Sequence, residues 1–193
     1  MRRIVLGFLA ALLLPLAADA QQNSKSSTQP QKQAAAQPET NPVSNAVRTI
    51  LERRSKITVA AAEAMPGDKY GFRPTSEQMT FGHLVIHTAG ANNFLCSSIA
   101  GIAAPADIKL ADTDSKEKLV AALKSSFDYC TQALAKMDDS NLGEQVPFFR
   151  GEKISRAGAM IVLTDAAYDH YGMAAMYLRL NGLTPPSAQP KKD

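Results

Sequence analysis

Apolar and polar residues recur with the period of an α-helix in four separate stretches of this chain. The first stretch begins at Asn41-Pro42, where asparagine can cap a helix and proline at the first helical position costs no hydrogen bond. It ends at the segment PGDKYGFRP, which breaks the pattern. Its apolar residues share one helical face: Val43, Val47, Ile50, Leu51, Ile57, Ala61 and Ala64.

Three further helices are predicted by the same periodicity together with start and stop residues. No stretch alternates convincingly with period two, and QVPFFRG, the nearest to a strand, is too short to found a sheet. The pattern therefore predicts an all-α fold, a four-helix bundle. The boundary signals are Thr80 and Gly101 for the second helix, Asp114 or Ser115 for the start of the third, and Ser155 and Gly182 for the fourth.

The two cysteines of the chain indicate how the second and third helices are oriented. Cys96 and Cys130 lie at similar distances from the starts of their helices, so only parallel helices bring them to the same level for a disulfide. Parallel neighbours need a long crossover, and residues 101–114 are long enough to supply it. This predicts an up-down-down-up topology. The alternative is that both cysteines are free thiols buried in the core.

Both ends of the chain lie outside the predicted bundle. Residues 1–20 have a basic start, a short apolar run and small residues before Gln21, as in a signal peptide. Residues 21–41 are rich in Gln, Ser and Pro and predict a disordered linker. The bundle then spans residues 42–187, followed by a tail over 188–193. We expect export to the periplasm or the medium, with no stable membrane anchor after cleavage.

Charge and aromatic content exclude one class of partner. The formal net charge of the whole chain is only +3, and there is no tryptophan. Lysines and arginines do not cluster with aromatic residues as they do on nucleic-acid-binding surfaces. Nucleic acid is therefore not an expected partner.

Two separated segments resemble DinB-like (also called YfiT-like) domains. KYGFRPTSEQMTFGHLVIHTAGANNFLCSSIAG is similar to the region around the second helix of that family, and DHYGMAAMYLRLNGLTPPS to the end of the fourth. The resemblance covers residues 42–187 and implies a four-helix bundle with up-down-down-up topology. It also admits a homodimer, since dimers occur in the family.

The resemblance implies a site for a divalent metal such as zinc, nickel or manganese. Many family members bind it through one histidine on the second helix and a pair four residues apart on the fourth. By position, His87 matches the first ligand and His170 the last. Ala166 stands where the remaining histidine is expected, so the motif is incomplete.

Two interpretations of these histidines remain open. His83 precedes His87 by four residues on the same helix, so it is a weak alternative third ligand. Otherwise His170 is a packed neutral histidine that hydrogen-bonds a backbone carbonyl or one of three nearby tyrosines. These are Tyr168, Tyr171 and Tyr177.

The sequence therefore supports two hypotheses for function. In the first, the protein is a non-catalytic or degenerate bundle that binds a small ligand or another envelope protein, because Ala166 replaces a residue that the chemistry needs. In the second, it is a metal-dependent hydrolase or thiol transferase that uses His87 and His170 as metal ligands.

Overall fold

Four long helices make up most of the residues that the computed structural model describes, which are 38–106 and 109–190. The predicted all-α four-helix bundle is confirmed. The helices are α1 (Pro42–Ala64), α2 (Phe81–Ala100), α3 (Lys116–Leu134) and α4 (Arg156–Leu180).

Several sequence predictions concern residues outside this range. The predicted signal peptide over 1–20, nearly all of the linker over 21–41 and the last part of the tail over 188–193 lie outside the described residues. Within the described ranges, none of the helices combines the length and the apolar character that a membrane crossing requires.

Most helix ends follow the start and stop residues of the sequence. At the start of α2, α3 and α4, a side-chain hydroxyl accepts a hydrogen bond from the backbone N–H three residues further on, which satisfies a donor that the helix leaves unpaired. After α2, Gly101 has a φ of 68°, which closes the helix in the left-handed region. The three capping hydroxyls belong to Thr80, Ser115 and Ser155.

The start of α1 is capped from another part of the chain. Asn41 precedes the helix but makes no side-chain cap hydrogen bond. Instead, the Asp139 carboxylate accepts hydrogen bonds from the backbone N–H groups of Val43 and Ser44, both at 2.9 Å. The Asn41 Oδ1 in turn accepts a hydrogen bond from the Asp139 N–H. The loop after α3 therefore holds the first turn of α1.

Helices α2 and α3 run parallel. Cys96 and Cys130 form a disulfide between them, with 5.2 Å between the two Cα atoms. One turn earlier on each helix, the Asn92 side-chain amide donates a hydrogen bond to Ser126 Oγ at 3.1 Å. The same offset of 34 residues separates both pairs, as two parallel helices require.

The remaining helix pairs complete the up-down-down-up topology. Arg48, near the start of α1, donates to the Leu134 carbonyl at the end of α3, so α1 and α3 are antiparallel. Phe81 begins α2 and lies 6.0 Å, ring centre to ring centre, from Tyr177 near the end of α4. Helices α2 and α4 are therefore antiparallel, and α1 and α4 point the same way.

The core lies where the apolar faces of the four helices meet, and large aliphatic side chains from all of them are buried there. Burying such side chains is the main source of stability in a bundle of this size. The members with almost no exposed surface include Leu84, Leu95, Ile99, Leu119, Leu123, Leu134, Met160, Leu163 and Leu178.

A small hairpin that the sequence pattern did not predict precedes α4. Its strands are β1 (Gln145–Pro147) and β2 (Lys153–Ser155), paired antiparallel. Val146 is buried against the bundle. Phe149, at the tip, stacks on Phe94 of α2 with ring centroids 4.6 Å apart. Burial of Val146 and the stacking of Phe149 on Phe94 therefore hold the hairpin against the bundle.

Candidate functional site

Two histidines from different helices meet near one end of the bundle. His87 lies in the second turn of α2, and His170 lies ten residues before the end of α4. Because the two helices are antiparallel, these positions come to the same level. The ring centroids are 4.9 Å apart and the ring planes are inclined by 77°. The structure thus brings together the two histidines that the sequence singled out.

The two rings have different surroundings. His87 is exposed, whereas His170 is only 6% exposed. Burial lowers the pKa of His170, and the neighbouring His87 lowers that pKa further. The Asp169 carboxylate acts in the opposite direction. At neutral pH the buried ring is therefore neutral, so it has one N–H donor and one nitrogen acceptor.

His83 does not complete a set of three donors. It is exposed one turn before His87, and its backbone N–H donates to the capping Thr80 hydroxyl. Over residues 38–106 and 109–190, no three side chains of His, Cys, Asp or Glu come close enough to bind one metal ion. The structure therefore does not place His83 as the third ligand beside the pair.

The position of the missing ligand is occupied by an alanine methyl group. Ala166 precedes His170 by one helical turn and is half-buried on the same side of α4. A catalytic zinc site needs three protein ligands and an open position. Two imidazoles and a methyl group do not provide such a set.

The three tyrosines near His170 in sequence have other partners. Tyr177 donates its hydroxyl hydrogen bond to the Met79 carbonyl, and the Tyr171 hydroxyl accepts from the Ser187 N–H. The Tyr168 ring lies under the Arg54 guanidinium, 3.4 Å from its centre. The hydrogen bonds that Tyr171 and Tyr177 make therefore go to backbone groups and not to the buried imidazole.

A small cavity of about 10 Å³ lies beside His170 in the interior. Two threonines contribute to its wall, Thr58 from α1 and Thr88 from α2. The sequence analysis did not single out Thr58, although a hydroxyl on the buried face of an apolar helix indicates a polar site in the core. The other lining residues are Ala62, Phe81, Leu84, Val85, Leu123 and Ala174.

A larger pocket of about 490 Å³ lies elsewhere, between α1 and α3. Arg48, one of its charged side chains, donates to the Leu134 carbonyl at the end of α3 and to the Met137 carbonyl just after it. These bonds join α1 to the end of α3 and to the turn that follows it. Arg48 therefore has a structural role, and the pocket has no contact with the histidine pair.

The lowered pKa of His170 predicts a pH dependence of stability. The unfolded chain takes up a proton at His170 near its ordinary pKa of 6.5, whereas the folded chain does so only at lower pH. The stability that comes from burying a neutral His170 ring is therefore fully present above that pH, and it is lost as the pH falls below it. His170→Gln removes this dependence on pH. We expect the melting temperature of this variant to fall less than that of the wild type between about pH 7.5 and 5.5.

The matched control is His83→Gln, which removes an exposed imidazole from the same end of the bundle. Melting temperatures of all three proteins are measured by circular dichroism across the pH series. If His170→Gln and the wild type lose the same number of degrees on acidification, burial of a neutral imidazole does not contribute to acid sensitivity.

The sequence of the chain matches one family model. The model of the DinB superfamily matches residues 50–174, well over half of the chain. No curated protein matches the chain significantly.

Solved structures show the same fold at low sequence identity. A DinB-like protein from Bacillus subtilis is 20% identical with a TM-score of 0.61, covering 76% of this chain and 100% of its own. A DinB-like protein from Bacillus cereus is 16% identical with a TM-score of 0.61, covering 74% and 95%. A mycothiol-dependent maleylpyruvate isomerase is 13% identical with a TM-score of 0.54, covering 70% and 66%.

Proposed function

The chain belongs to the DinB superfamily, and on that basis we propose that it is an exported, non-catalytic member that binds a small ligand. The binding site is the place where His87 and His170 meet. A ligand with a polar group hydrogen-bonds to the two imidazoles, and the Ala166 methyl group leaves space beside them for the rest of the molecule.

The observation that carries this proposal is the geometry of the histidine pair. The two rings are 4.9 Å apart, and one of them is open to solvent. The interior cavity beside His170 measures only about 10 Å³, whereas pockets for drug-sized ligands measure about 300–1,000 Å³. The ligand therefore binds from the solvent side, against His87, and does not enter the core.

Export is supported by the disulfide between α2 and α3. Disulfides persist in oxidising compartments and are rare in the reducing cytosol. This agrees with the signal-peptide pattern of residues 1–20. In that compartment, another envelope protein is the alternative binding partner for the same exposed side of the bundle.

An NMR titration of the imidazoles tests ligand binding directly. The chain has three histidines, so the ring signals are few. Acetate, inorganic phosphate and cysteine are added separately at millimolar concentrations. Binding at the pair shifts the signals of His87 and His170 in saturable fashion and leaves those of His83 in place. If none of the three probes shifts the pair in the folded protein, the site does not bind small polar ligands.

A metal-dependent enzyme is the second candidate, because two imidazoles converge at one point as metal ligands do. One structural neighbour is a mycothiol-dependent isomerase, which connects this fold with thiol chemistry. In this alternative the chain is a hydrolase or thiol transferase that uses His87 and His170 as metal ligands. A metal-binding experiment separates the two candidates.

Restoring the third donor is expected to convert the pair into a metal site. We expect Ala166→His to bind zinc at least about tenfold more tightly than the wild type, which corresponds to about 1.4 kcal/mol. The new imidazole lies one turn before His170 and faces the same side of α4. Isothermal titration with zinc, and then with nickel and manganese, gives the affinity and the stoichiometry.

The control is the double variant Ala166→His with His87→Gln, which has the new ligand but lacks the one on α2. It is expected to lose most of the gained affinity. Tight one-to-one zinc binding by the wild type, unchanged in Ala166→His, would overturn the non-catalytic proposal in favour of the metal-dependent enzyme.

A further inference from the structure

Among the described residues, a threonine in the core beside His170 has no hydrogen-bond partner. Thr58 of α1 is only 5% exposed. Its hydroxyl oxygen is inaccessible to solvent and has no partner among the described residues. A buried hydroxyl without a partner loses its hydrogen bonds to water on folding and gains none in return. Such a group is therefore expected to have a partner in the cavity that it lines.

The cavity next to Thr58 has the size and the polar lining that one water molecule needs. Its volume of about 10 Å³ is close to the lower limit of about 10–15 Å³ for a single water. Three polar side chains from three helices line it, Thr58, Thr88 and His170. A buried water typically makes about three hydrogen bonds. The remaining wall is apolar, so these three groups are its polar side-chain partners.

The hydrogen-bonding capacity of the three groups can be matched one by one. The Thr88 hydroxyl donates to the Leu84 carbonyl at 2.8 Å, so its oxygen can only accept a further hydrogen bond. The Thr58 hydroxyl has its hydrogen free to donate. A water that accepts from Thr58 and donates to Thr88 has one hydrogen left. The remaining group is the neutral ring of His170, which has one nitrogen acceptor.

We propose that this cavity is a binding site for one structural water molecule, and that Thr58 is a positioning residue for His170. The water accepts a hydrogen bond from Thr58 and donates to Thr88 and to the ring nitrogen of His170 that faces the cavity. That nitrogen is then unprotonated, so the N–H of the neutral ring lies on the other nitrogen. The water site stands on the cavity and the unpaired hydroxyl, whether or not the histidine pair binds a ligand.

The tautomer of the His170 ring shows whether Thr58 positions that ring or only packs in the core. Thr58→Val keeps the shape of the side chain and removes the hydroxyl, and Thr58→Ser keeps the hydroxyl. Thr49→Val, at an exposed position of the same helix, is the matched control. The ¹⁵N shifts of the His170 ring, recorded well above the pH at which it protonates, report which nitrogen carries the proton.

We expect a single tautomer in the wild type, in Thr58→Ser and in Thr49→Val, and a mixture of two tautomers in Thr58→Val. A high-resolution crystal structure of the wild type is expected to show one ordered water in the cavity, and that of Thr58→Val none. A dry cavity in the wild type, or a tautomer ratio that Thr58→Val leaves unchanged, would overturn the proposal.

Discussion

Replacing Cys96 and Cys130 together by alanine is expected to lower the free energy of unfolding by about 4 kcal/mol. The disulfide closes a loop with a sequence separation of 34 residues, which restricts the unfolded chain far more than the folded one. Both cysteines are fully buried between α2 and α3, so the two small cavities left by the substitution add to the loss. Urea denaturation followed by circular dichroism measures the difference.

The control for this experiment is the reduced wild type. When urea denaturation is carried out with a reducing agent present, the urea midpoint of the wild type is expected to come close to that of the double alanine variant. The midpoint of the variant itself is expected to stay unchanged. If reduction and substitution both change the urea midpoint by less than a tenth of the wild-type value, the cross-link does not stabilise the bundle.

Replacing Gly82 by alanine is the second change with a large expected effect, a loss of about 2 kcal/mol of unfolding free energy. A Cβ atom at this position would lie 2.6 Å from the backbone carbonyl oxygen of Asp112 and 3.4 Å from a methyl group of Leu119. The Gly82 N–H also donates to the Tyr70 carbonyl at 2.8 Å. The first turn of α2 is thus fixed on one side by the loop before it and crowded on the other by the crossover.

Gly90→Ala on the same helix is the matched control. Nothing lies within 4 Å of a Cβ atom at that position, so alanine is expected to raise the unfolding free energy by about 1 kcal/mol through its higher helix propensity. Equal effects of the two substitutions would show that the crossover backbone moves away from α2 at little cost.

The helices follow from local patterns, which is why the sequence predicts them well. Thr80, Ser115 and Ser155 cap the three helices that they precede, and Gly101 ends α2 as predicted. Each of these effects depends on residues within one or two turns of each other. The parallel direction of α2 and α3 also follows from the sequence, because the cysteines lie at matching levels only in that arrangement.

Features that depend on distant residues are not visible in the local pattern. Asn41 was expected to cap α1, but Asp139 does so from almost a hundred positions away in the chain. The hairpin before α4 also escaped prediction, because its strands have three residues each. Its stability comes from Val146 in the core and from the contact of Phe149 with Phe94.

The sequence also predicts only part of the candidate site. Antiparallel α2 and α4 bring His87 and His170 to one level, as the family resemblance implies, and the helical period alone predicts that Ala166 faces the same side as His170. The cavity beside His170 could not be found in this way. Thr58 lies on α1, and only the packing of three helices around one small space makes it line the same cavity as His170.

The covalent link between parallel helices has a consequence for the crossover that joins them. The disulfide closes residues 96–130 into a covalent ring, and the crossover, residues 101–115, is part of that ring. A single proteolytic cut in the crossover opens the ring without separating the two pieces. The nicked protein stays in one piece as long as the sulfurs are oxidised, and only a reducing environment divides its polypeptide into two fragments.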